Sequence, residues 1–213
     1  MKAILSRKHR ALSGVLVTII IMVASIVLAS GVVLYGTTLF QGGAQQEAIT
    51  VSGIKMWVHG TDAKGLAWGA FTVRNSGDKV LSVNGIIVRG TDVPFAQWYA
   101  DTTVTSAIIQ HPMNFTGWSN NNGFLNNDTS ANCSPSTTME LVLQLNSNPA
   151  SDGWFCANAV AGPIVLDPNQ ATIIYFRLNN GTISGIDGGT AANVSVIAGK
   201  TIAKQSTNIS SKT

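Results

Sequence analysis

Arg7-Lys8-His9-Arg10-Ala11-Leu12-Ser13-Gly14-Val15-Leu16-Val17-Thr18-Ile19-Ile20-Ile21-Met22-Val23-Ala24-Ser25-Ile26-Val27-Leu28-Ala29 is the stretch on which the fold turns. Behind the basic leader, no charge occurs from Ala11 to Gln46. No proline interrupts the apolar run, which continues through Gly31-Val32-Val33-Leu34-Tyr35 to Phe40. Lipid offers the backbone no hydrogen-bond partners, so a segment of this kind is helical. About 20 apolar residues span a bilayer, and residues 12–46 would reach roughly 50 Å at 1.5 Å per residue. The sequence therefore predicts one membrane helix. The leader stays cytoplasmic by the positive-inside rule, and the rest of the chain lies outside.

A cleaved secretory signal carries an apolar core of about 7–15 residues closed by a small-x-small site. This core is near twice that length, no A-x-A follows it, and no cysteine follows to carry a lipid anchor. A plain transmembrane anchor is the simpler alternative. Within the run, Gly14, Thr18, Ser25, Ala29 and Gly36 follow spacings of four and seven and form a narrow stripe of small residues. Such stripes let helix backbones approach closely where lipid supplies no hydrophobic incentive.

The junction Lys8-His9-Arg10-Ala11-Leu12-Ser13-Gly14 resembles the class III signal of archaeal type IV pilins. The resemblance covers about the first 40 residues. It implies a leader, residues 1–11, removed by a prepilin peptidase between Ala11 and Leu12, with Arg10 as the last basic residue before the cut. It also implies that the apolar helix is retained as the core of a filament, a helical homopolymer built by a membrane assembly platform. Many pilins of this type read Leu-Ser-Pro where this chain has Leu12-Ser13-Gly14. Archaellins, the related motility-filament subunits, usually carry a glutamate at the fifth mature residue, where this chain has Leu16. That departure favours a pilus over an archaellum. The resemblance further implies a lollipop-shaped molecule, with the helix as stalk and an extracellular head.

The net charge of +3 belongs to the leader. Without Lys2, Arg7, Lys8 and Arg10 the chain keeps nine basic and ten acidic residues. Such a balance gives no electrostatic case for nucleic acid. Residues 47–213 are long enough for one domain. Their two cysteines, Cys133 and Cys156, pair most simply as a disulfide in an exported protein; two free thiols are the alternative. A metal site would need further ligands, and the chain has only His9, His59 and His111. Sequons at Asn114, Asn127, Asn132, Asn180, Asn193 and Asn208 mark candidate N-linked glycans in that compartment.

In the head, Ile49–Val58, Leu66–Val73, Val80–Val88, Met139–Leu145, Ile164–Leu166, Thr172–Leu178 and Asn193–Ala198 read as strands, separated by Gly/Asn/Asp turns. They predict an all-β head, an antiparallel Ig-like β-sandwich. The polar stretch near 91–138 reads as a long exposed loop bearing sequons, stapled to the head at Cys156. The tail Gly199–Thr213 reads as frayed. Trp57, Trp68, Trp98, Trp118 and Trp154 read as core or subunit-interface residues. No phosphate loop, dinucleotide fingerprint or Gly-x-Ser-x-Gly elbow occurs. Glu47 and Glu140 have no evident paired role. The expectation is a filament subunit with adhesive work, no enzyme, and neither cofactor nor metal. The alternatives are an archaellin and a monomeric membrane-anchored binding domain.

Overall fold

The computed structural model describes residues 2–43, 47–62, 65–101, 109, 113–118, 125, 141–145 and 154–213, with helix side chains described over 14–39. Two compact units result, Met1–Gln45 and Gln46–Thr213. The first is one helix, α1 (Lys2–Gly43). It begins earlier than the sequence suggested, so the backbone at Arg10, Ala11 and Leu12 is already helical.

The second unit is a large, mostly β domain. Its strands are β1 (Ile49–His59), β2 (Ala67–Asn75), β3 (Leu81–Val88), β4 (Thr91–Asp92), β5 (Trp98–Asp101), β6 (Leu141–Gln144), β7 (Trp154–Ala159), β8 (Ile164–Leu166), β9 (Ala171–Arg177), β10 (Ala191–Ala198) and β11 (Thr201–Lys212). Neighbours run β4-β3-β10-β11-β1-β2-β9-β5-β7-β6, and β8 pairs β3.

Strand β11 joins two strand sets. Its residues 201–208 pair antiparallel with β10, and Ile209–Lys212 pair parallel with β1. The expected all-antiparallel arrangement thus fails at this pair. Below Met56, where β11 does not pair with β1, side chains bond to the β1 backbone. Gln205 Nε2 donates to the Val51 carbonyl, and Thr207 Oγ1 donates to the Ile54 carbonyl at 3.0 Å. Carbonyls that would lack a ladder partner are satisfied in this way. The tail is therefore not frayed. It is a twelve-residue strand paired along its whole length, with β10 first and then with β1.

Two bulges keep the apolar faces aligned. In β1 the register steps from Ser52↔Thr72 to Lys55↔Ala70, with Gly53 at φ +66°. The extra residue flips parity, so Val51 faces the same core as Met56 and Val58. In β3 the step from Val83 to Gly85 opposite Ala198 and Ile197 does the same for Val83 and Ile86. A first core draws on both strand sets, with Phe71, Val73 and Phe176 from one and Val88, Val194 and Val196 from the other.

A second core lies on the opposite face of β2, β9 and β5. Trp68, Tyr99, Ile173 and Tyr175 are covered there by Met113, Leu125, Leu141, Leu143 and Phe155. The region read as an exposed loop therefore supplies buried cover at Met113 and Leu125, two of its described positions, and strand β5 lies within it. These apolar residues are spaced without period, and their burial comes from the large aromatic face that they meet.

The chain enters the domain at a fastened point. Glu47 Oε2 accepts from the Lys200 backbone N–H at 2.9 Å, at the β10–β11 turn. The Ala48 carbonyl accepts from Ser76 and Gly77 at the β2–β3 turn. Glu47 thus has a structural role that the sequence did not suggest. At the far end, Arg89 and Gly90 form a two-residue turn with φ +51° and +83°. The Arg89 guanidinium meets Asp187 at 2.9 Å. The Ser184 backbone N–H, the Arg89 side chain and the Ser184 hydroxyl hold the Asp187 carboxyl well below its ordinary value, at about 2.

Two outcomes follow from these contacts. Deleting residues 201–213 should abolish the cooperative thermal transition of the detergent-solubilised chain and its β-type circular dichroism. A frayed tail would leave both in place. Because the Asp187 value is depressed on folding, its contribution is complete above about pH 4 and lost as pH falls towards about 2. The thermal midpoint should fall across that window, and Asp187→Asn should flatten that part of the profile.

Candidate functional site

The feature with functional consequence is the surface of α1. From Gly14 to Leu39 it carries no charge, and none of this segment is buried. Its large apolar side chains are all exposed, from 49% at Val17 to 72% at Val32. Soluble monomers rarely leave more than a few hundred Å² of contiguous apolar surface open, and by length and composition this helix is compatible with membrane insertion or with a signal sequence.

The polar atoms on the helix are already satisfied. Thr18 Oγ1 donates to the Val15 carbonyl at 2.8 Å, and Ser25 Oγ donates to the Ile21 carbonyl at 2.7 Å. Ser30, Thr37 and Thr38 bond back to carbonyls three or four residues earlier in the same way. Each Ser and Thr hydroxyl between Gly14 and Leu39 thus has a partner within its own helix, which removes the cost of placing it in hydrocarbon. The small stripe keeps open space. A Cβ added at Gly14 or Gly36 would meet nothing within 4 Å. Thr18, Ser25 and Ala29 complete the stripe, and all three are exposed.

His59, read as an ordinary hairpin residue, accepts at Nδ1 from the backbone N–H groups of Thr61 and Asp62 and caps its own turn. Among the described residues no three His, Cys, Asp or Glu side chains converge as a metal site would require. Trp57, Trp68 and Trp98 are buried, whereas Trp118 and Trp154 are half-buried. Trp118 packs on His59 and Phe115 and donates to the Lys212 carbonyl at 3.1 Å, pinning the end of β11.

Cys156 lies in β7, and no free cysteine occurs among the described residues. Its expected partner Cys133 lies outside them, as do Asn127, Asn132, His111 and Glu140. Of the remaining sequons, Asn180, Asn193 and Asn208 are exposed. Asn114 is half-buried, and its Nδ2 donates to the Leu145 carbonyl at 2.9 Å. Sequence reasoning could not separate these four, because the distinction lies in a contact across 31 residues.

No family model matches the chain, and no curated protein matches it.

Fourteen Val, Leu and Ile residues occupy Gly14–Leu39. At about 0.3–0.6 kcal/mol each near the bilayer centre, they favour insertion by at most about 4–8 kcal/mol. A central lysine opposes it by about 2.5–3.5 kcal/mol. Ile26→Lys should therefore stay in the carbonate-resistant membrane pellet, whereas Val23→Lys with Ile26→Lys should shift most of the chain to the soluble or aggregated fraction.

Proposed function

We propose that this chain is the structural subunit of an extracellular type IV pilus-like filament serving surface attachment. The observation that supports this best is the uncovered, charge-free helix behind a basic leader, joined to a separate β domain. Before assembly the helix sits in the membrane, with its apolar side chains against lipid. On assembly it exchanges lipid for copies of itself, a surrounding of equal apolarity. The self-satisfied hydroxyls make that exchange inexpensive, and the small stripe favours close helix approach.

On this reading the leader is removed by a prepilin peptidase between Ala11 and Leu12, after Arg10, and an assembly platform draws the mature chain outward. The strand sets around the first core form an Ig-like sandwich, and the molecule has the lollipop outline of a pilin. A Cys133–Cys156 disulfide closes the region over the second core, and glycans decorate the outer surface. Leu16, where archaellins carry glutamate, sets the chain apart from a motility filament.

The test is N-terminal sequencing of material sheared from the cell surface and pelleted as polymer. The expected first residue is Leu12. A monomer that retains Met1 or lacks the apolar segment would sink the proposal. Ala11→Asp should block cleavage, leaving a membrane-bound precursor and no sheared polymer.

A further inference from the structure

Three of the four described sequons share an end of the β domain. The chain enters at Glu47, beside the β10–β11 turn. Strand β11 runs from that turn, and at about 3.3 Å per residue Asn208 stands roughly 23 Å along it. Asn193 lies towards the same far end, since Ala191 pairs with Asn208. Asn180 follows β9, whose last residue Arg177 pairs with Trp68 at the end of β2 remote from Ser76 and Ala48.

These sites differ as acceptors. Asn193 and Asn208 sit within paired strands, Asn193 in β10 between β11 and β3 and Asn208 where β11 passes from β10 to β1, and each is followed by a buried residue, Val194 or Ile209. A transferase must close around three consecutive residues, and a strand held by ladder hydrogen bonds does not yield them. Asn114 has its amide nitrogen committed to Leu145, as described above. Asn180-Gly181-Thr182 instead forms a turn, with Asn180 and Gly181 exposed and Thr182 half-buried. Gly181 has φ +85° and open space where a side chain would project, and the turn is closed by the Thr182 N–H on the Asn179 carbonyl at 3.1 Å.

We infer that Asn180 is the N-glycan acceptor among the described sequons, so that the domain carries its oligosaccharide at the end remote from where the chain enters. The inference rests on the extracellular placement proposed above. The co-substrate is an oligosaccharide linked through phosphate to a lipid. Asn180 Nδ2 bonds to the sugar C1, the C1–O bond to phosphate breaks, the lipid phosphate leaves, and one amide proton passes to the transferase.

The test is glycopeptide mapping of the full chain from its own producing cells, together with protease treatment of intact cells. Asn180 should carry sugar, with Asn114, Asn193 and Asn208 bare. Asn180→Gln and Thr182→Ala should each remove that mass, and Thr182→Ser should retain it. A bare Asn180, or sugar on any of the other three, in a domain that external protease reaches overturns the inference and leaves the filament proposal standing. A domain that protease cannot reach overturns both.

Discussion

Twenty-six consecutive residues without a charge, none of them buried, impose one demand on everything else in this chain. Such side chains suit an apolar surrounding. Lipid meets the demand, and so does a bundle of the same helix. The two surroundings differ little in transfer energy, because hydrocarbon and packed Leu, Ile and Val are nearly equivalent. What separates them is packing, and there the small residues matter: Gly14 and Gly36 leave the backbone open to close approach. In the exchange proposed above the hydroxyls would neither drive nor resist the transfer, since each is already bonded within its own helix.

The β domain answers a different problem, closing a sheet whose apolar side chains face two ways. Strand β2 is buried on both faces, with Phe71 and Val73 towards one core and Trp68 and Ala70 towards the other. Burying one face needs the β3–β10 set, and burying the other needs β6, β7 and the residues around Met113 and Leu125. Strand β11 makes the first closure possible by pairing with β10 along most of its length and with β1 at its end. Gln205 and Thr207 supply hydrogen bonds to β1 where the backbones do not pair, so this change of partner leaves the Val51 and Ile54 carbonyls satisfied.

The ease of reading each element from sequence follows from which force shapes it. The helix was legible because lipid imposes strict rules on length and charge. Strand β10 was legible because Ala192, Val194, Val196 and Ala198 alternate cleanly. Strand β7 was overlooked although Phe155 and Ala157 show the same period, because polar residues flank it closely. Strand β11 carries one buried residue, Ile209, and its pairing comes from the backbone, which leaves no hydropathy pattern. The second core was illegible for the same kind of reason, since its cover comes from residues far apart in sequence. The sequons were visible as motifs, but the partner of Asn114 Nδ2 was not.

On the filament reading proposed above, the fastening of Glu47 and Ala48 bears on how a subunit would carry tension. A pull delivered at residue 47 reaches β1 directly, because β1 begins at Ile49. Strand β1 is antiparallel to β2 along its length and parallel to β11 from Met56 to His59. A force along β1 therefore loads its hydrogen bonds together in shear instead of opening them one at a time. The hydrogen bonds of Glu47 and Ala48 also tie the start of β1 to the β10–β11 and β2–β3 turns. A chain that ended in a loose tail would lack the β11 side of this arrangement. The polar strand that gave no sequence signal thus belongs to the hydrogen-bonded surroundings of β1, beside which the chain enters the domain.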